Sequence, residues 1–162
     1  MVETSRENMS DNEKHLASKA YCNITRILSK RLETNVIVDA AKNAYNYQRI
    51  ADEIDTLTFP MACLLYAGTF DSETAPDSMI HYTKMAIPFI DTIGEDASLY
   101  IVSQQHLSAA CRHQKKYDSC FQIRRNMIAF SSRRGMDTKG DSLALGIDMF
   151  YSPYRLQSKP YL

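Results

Sequence analysis

Glycine and proline are scarce, 5 of each in 162 residues, which excludes a collagen-like repeat and a low-complexity disordered chain. Charge of one sign is missing too. With 19 Lys and Arg against 19 Asp and Glu, no global field draws in nucleic acid or an anionic membrane, although a local basic patch is compatible with neutrality. The longest apolar-rich stretch, Thr58 to Phe70, is too short and too interrupted to cross a bilayer. The opening residues MVETSRENMSDNEKH carry acids, Ser and Asn in place of a basic stretch followed by an apolar run, so they do not read as a secretory signal. The expected location is cytoplasmic, and a truncated periplasmic domain would look the same. The cysteines Cys22, Cys63, Cys111 and Cys120 show none of the two-to-four-residue spacings of zinc or redox motifs. Their apolar neighbours at helical spacing mark them as small core fillers, with a disulfide as the alternative. Asn23-Ile24-Thr25 matches a glycosylation pattern but falls inside a helical stretch.

What is there is 44% apolar residues in a helical rhythm, enough for one globular domain that removes about two-thirds of its extended surface from water. Ser10 and Glu13 form a capping box, and Leu16, Ala20, Ile24, Ile27, Leu28 and Leu32 follow as the stripe expected to face the core, with Thr34-Asn35 as the end. A second helix is expected from Val36 through Tyr45 and Tyr47 to Leu57, halted at Thr58-Phe59-Pro60. Met61 to Gly68 reads as a short helix, and Asp71 to Pro76 as a loop. Asp77 is placed to cap the next helix, Met79 to Gly94, which Pro88 should kink near Lys84 or stop early. Asp96 to Gln114 and Tyr117 to Phe130 give two more, broken by Lys115-Lys116, and Ser131-Ser132-Arg133-Arg134-Gly135 is the clearest helix end in the chain. Ser142 to Tyr151 is the last helix before Pro153 and Pro160. No run alternates with period two, so the fold class is all-α.

A helix, a short turn, a helix and a polar joint recur about every forty residues, the scale of a solenoid repeat. DSMIHYTKMAI (Asp77 to Ile87) and YDSCFQIRRNMI (Tyr117 to Ile128) share Asp-Ser, a core position (Met79, Cys120) and a second one seven later (Ala86, Met127). Upstream of the latter, LSAAC (Leu107 to Cys111), a QKK turn and Tyr117 resemble the tetratricopeptide pattern, and Leu145-Gly146 repeats its large-small pair. Small residues at the crossing let paired helices approach closely, while the aromatic fills the space between turns. The chain resembles a tetratricopeptide-like protein over roughly Phe59 to Tyr151, most strongly from Asp96 to Gly135. Tryptophan is absent, Met79, Cys120 and Met127 stand where alanines are usual, and the period exceeds the standard ~34 residues. The long-period variant of bacterial signalling proteins is the nearest resemblance.

That resemblance implies an α-α superhelix of antiparallel helix hairpins over residues 13–151; the polar start reads as a disordered segment over 1–12, and 152–162 as an irregular tail that is a truncated repeat. It further implies a non-catalytic protein-protein interaction module whose concave groove, lined by first helices, binds a peptide or partner domain. On this sequence the partner-binding positions are Gln105, Ala109, Arg112, His113 and, from the next repeat, Tyr151. Lys84, Arg124 and Arg125 would sit on second helices, facing the convex side or solvent. No cofactor, metal or small-molecule substrate is expected. His106 and His113 lie seven apart, about 10 Å along a helix axis, too far to share a metal easily. His15 and His81 read as isolated packing residues. The chain has no glycine-rich phosphate loop, no Gly-x-Ser-x-Gly elbow and no clustered acids, so it does not read as an enzyme. The alternative is a DNA-binding transcriptional regulator using a basic helix around residues 16–31, with Arg26, Lys30 and Arg31 on phosphates.

Overall fold

The computed structural model describes Arg6 and residues 8–29, 34–93 and 97–151, the side chains of 91–93, 97 and 147–151 excepted. All regular structure among the described residues is helical: α1 (Asp11–Leu28), α2 (Thr34–Arg49), α3 (Thr58–Ala67), α4 (Pro76–Ile93), α5 (Ala97–His113), α6 (Tyr117–Arg133) and α7 (Lys139–Tyr151). The all-α class is therefore as expected. Lys30, Arg31, Leu32, Gly94, Asp96, Pro153 and Pro160 lie outside the described residues.

The capping box forms: Glu13 N–H donates to Ser10 Oγ, and the Glu13 carboxylate accepts from Ser10 N–H at 2.8 Å. Two orphan donors at the helix start are thereby satisfied. The face that α1 buries, however, is not the expected one. Lys14, Ser18, Cys22 and Thr25 point inward, while Leu16, Ile24 and Ile27 are 69%, 41% and 56% exposed. The reason is close approach. Ser18 Oγ donates to the Ala44 carbonyl of α2 at 2.8 Å, and Cys22 packs against Ala44 and against Ala62 of α3. At Ser18 and Cys22 the seam is tight enough to admit only small side chains, and Leu16, Ile24 and Ile27 are left on the far side.

Two boundaries also move. Thr34 and Asn35 open α2, because α1 stops at Ser29, whose N–H and hydroxyl reach the Thr25 and Arg26 carbonyls at 2.9 Å each. α2 ends at Arg49, eight residues short of Leu57, because carboxylates take over the backbone donors that follow. Asp11 accepts from Asp52 and Glu53 N–H at 3.2 and 3.1 Å. Asp55 accepts from Leu57 and Thr58 N–H at 3.0 and 3.3 Å and so caps α3. Pro60, expected to halt the preceding helix, sits in the first turn of α3, where its missing donor costs nothing. Asp77 is already inside α4, whose first residue is Pro76, and α4 runs through Pro88 to Ile93 without stopping. Pro88 and Lys84 are both exposed, so water can reach the carbonyl that Pro88 cannot bond.

Packing follows the chain. Each helix packs on the next, and α1 also packs on α3 and α3 on α5; among the described residues no more distant pair packs extensively. α3 is the shared centre, burying Phe59, Pro60, Ala62, Cys63, Leu64 and Ala67 around its whole circumference. One core cluster joins Tyr45, Phe59, Cys63, Leu64, Ala86 and Ile90; the second joins Cys22, Ala44 and Ala62. Met79, Ala86, Cys120 and Met127, matched as equivalent in the sequence, are all buried. The odd helices α3, α5 and α7 start at 58, 97 and 139, and the even helices α2, α4 and α6 at 34, 76 and 117, about forty residues apart in each series.

Candidate functional site

α5 carries the expected binding positions. Its inward side is small: Ser103, Ser108 and Ala110 are buried, and Ser108 Oγ lies 3.3 Å from Cys120 Sγ of α6. That close contact turns Gln105, Arg112 and His113 outward to solvent, with Ala109 half-buried between them. Residues 105, 109 and 112 recur at four and three, so they form one face of two helical turns. The structure thus brings Gln105, Ala109, Arg112 and His113 onto one helix surface. The Tyr151 side chain lies outside the described residues. Lys84 and Arg125 are exposed and Arg124 is half-buried on the even helices.

Two contacts hold α5 in place beside α4. Gln114 Nε2 donates to Asp77 Oδ1 at 2.6 Å just past the C-terminal end of α5. One helix face away from the candidate surface, His106 is half-buried, its Nδ1 3.5 Å from Thr83 Oγ1, and it packs on Gly68, where an added Cβ would come within 3.4 Å of Nε2. Burial holds the His106 imidazole below its ordinary range, in favour of the neutral ring. It is a packing histidine. His15 is half-buried, its Nε2 2.9 Å from the Glu53 carbonyl, and His81 is exposed with its ring T-shaped to that of Tyr82.

The thiols offer little chemistry. Cys22, Cys63 and Cys120 are buried and all four cysteines are free. Burial pushes Cys22 and Cys63 up to about 12, and it raises the half-buried Cys111 as well. No group of three or more His, Cys, Asp or Glu among the described residues is arranged to hold a metal.

The helix-turn-helix alternative lacks its turn: residues 16–28 are one unbroken helix, in which Lys19 and Arg26 are exposed. No described helix is long and apolar enough to cross a membrane. The surface that reading by periodicity assigned to the core is the outward stripe Leu16, Ala20, Ile24 and Ile27. The small-residue row Ser18, Cys22 and Thr25 was the signal in the chain that could have identified the true inward face. No protein-family model, curated protein or solved structure matches this chain.

Proposed function

We propose that the chain is a non-catalytic helical-repeat module, tetratricopeptide-like in its stacking, that binds a peptide or a partner domain along its odd-numbered helices. The observation that carries this reading is the packing order. Neighbouring helices pair, α1 touches α3 and α3 touches α5, and the helix starts recur about every forty residues. Stacked hairpins of this kind leave one side of each first helix uncovered, and on α5 that side presents Gln105, Ala109, Arg112 and His113. The guanidinium of Arg112 supplies a directional anchor for a carboxylate or carbonyl, the half-buried Ala109 leaves room for a side chain, and Gln105 can satisfy a peptide backbone. The resemblance to long-period repeats of bacterial signalling proteins adds a regulatory role to this proposal.

Selection from a random peptide display library against the whole chain tests it. Peptides recovered should shift the amide resonances of Gln105, Ala109 and Arg112, and Arg112→Ala should weaken them by about tenfold while the helical circular dichroism stays unchanged. A selection that yields no binder, or binders indifferent to Arg112→Ala and Gln105→Ala, removes the assignment.

A further inference from the structure

α1 is amphipathic the wrong way round for a helix that only fills a core. Its buried side is polar or small, Lys14, Ser18, Cys22 and Thr25, and its solvent side carries Leu16, Ala20, Ile24 and Ile27. These recur at four, four and three, a continuous stripe about 16 Å long. Leaving three large aliphatic side chains 69%, 41% and 56% exposed along one line is an arrangement that association stabilises.

Charge decides what covers it. Lys19 and Arg26, seven apart, flank the stripe on the same edge; both are exposed and neither forms an ion pair with a described residue. The acids of α1 are engaged within the chain. Asp11 holds Lys14 Nζ at 3.2 Å and the Asp52 and Glu53 N–H groups, while Glu13 is locked to Ser10 in the capping box. A second copy is a poor occupant on these grounds. In an antiparallel two-fold pair the edge bearing Lys19 and Arg26 would meet the same edge of its mate, and in a parallel pair it would meet the edge of Ala17 and Ile24. Neither supplies a carboxylate. Beside the stripe, Asn23, Arg26, Ile27 and Ser29 line an open cavity of about 550 Å³. Ile27 with the Arg26 guanidinium beside it suits an apolar anchor that has a carboxylate next to it.

We propose that the outer face of α1 docks an acidic amphipathic helix of a partner protein. Its apolar residues lie on Leu16, Ala20, Ile24 and Ile27, its carboxylates meet Lys19 and Arg26, and one anchor side chain enters the cavity by Ile27. This helix-on-helix mode reads anchors at helical spacing. It stands independently of the α5 surface, since α1 and α5 do not pack extensively on each other.

The test uses the full chain and a fluorescein-labelled peptide of about 18 residues, the length of α1. The peptide carries leucine at helical spacing and glutamate on both flanks; a twin carries lysine in place of glutamate. Fluorescence anisotropy should show the acidic peptide binding at least about tenfold more tightly than the twin. Leu16→Asp with Ile24→Asp should weaken it by about tenfold or more, with circular dichroism unchanged because both side chains are on the surface. Lys19→Glu with Arg26→Glu should reverse the preference between the two peptides. Arg112→Ala should leave this affinity unaltered, which separates the result from the α5 surface. Equal binding of the two peptides, or retention of binding by the aspartate variants, overturns the proposal. So does duplex DNA competing the acidic peptide off, or a chain that dimerises on its own and becomes monomeric on Leu16→Asp.

Discussion

His106 shows how one side chain couples protonation to packing. It is wedged between Thr83 of α4 and Gly68 at the end of α3, and burial depresses its pKa from the ordinary value of 6.5. Above that value the ring is neutral in both the folded and unfolded chain, and stability is at its full level. As pH falls through 6.5 the unfolded chain takes up the proton first, so stability declines until the depressed folded-state value is passed. The carboxylates act lower down. The Asp52 N–H holds Asp11 below the usual carboxylate range, and at Asp55 burial pushes upward but is outweighed by hydrogen bonds from the Thr58 hydroxyl and the Leu57 and Thr58 N–H groups. Their share is present above the unfolded carboxylate range and is lost at more acidic pH than the His106 share. The urea midpoint should therefore drop between pH 7.5 and about 5.5, and His106→Gln, neutral throughout, should flatten that drop. A drop of equal size in the variant would show that His106 is not its source.

At the scale of the element, α5 and α6 end by the same hydrogen-bond pattern with different residues. Lys116 N–H reaches the Cys111 carbonyl at 2.8 Å with Lys115 N–H on Arg112, and Met136 N–H reaches Ser131 at 3.0 Å with Gly135 N–H on Ser132. Both are six-to-one closures that demand a left-handed residue. Gly135 supplies it at φ 69°, and Lys115 supplies it at φ 59° with a Cβ in the way. Lys115→Gly should stabilise the chain by about 1 kcal/mol and Gly135→Ala should destabilise it by a similar amount. Equilibrium denaturation measures both; an unstable Lys115→Gly chain would mean that the lysine side chain holds the turn. The Ser131 to Gly135 end was legible from residue type alone, because glycine after a run of cations has few other uses. The Lys115 end was legible only as a break between two periodic segments. A break before α3 was legible at Thr58 to Pro60, but the end of α2 at Arg49 was not, since it depends on Asp11, about forty residues upstream, accepting from Asp52 and Glu53.

For the whole molecule, the order of packing sets the order of stability. α3 contacts α1, α2, α4 and α5, whereas α7 packs extensively on α6 alone among the described residues. In an array stabilised by nearest-neighbour interfaces, the element with one neighbour opens first and the central one last. Amide exchange should accordingly be slowest for Ala62, Cys63 and Leu64 and fastest, among the helices, for Lys139 to Gly146. Uniform protection across α3 and α7 would show that the helices open as one closed unit and would remove the stacked-array reading with it.

The amino-acid sequence alone determined that the chain is helical, where most helices lie, and that Met79, Ala86, Cys120 and Met127 are core positions. Those properties depend on neighbours within a few turns: period, capping side chains and the volume of a residue. Only the tertiary structure decided which way α1 faces, because Leu16, Ile24 and Ile27 are as periodic as any core stripe. The choice was made by how closely α2 and α3 approach at Ser18 and Cys22, a distance that admits small side chains and turns the large ones toward solvent. Likewise the turn after Arg49 was set by the Asp11 carboxylate, distant in the chain, which accepts from the Asp52 and Glu53 N–H groups and so withdraws them from the helix.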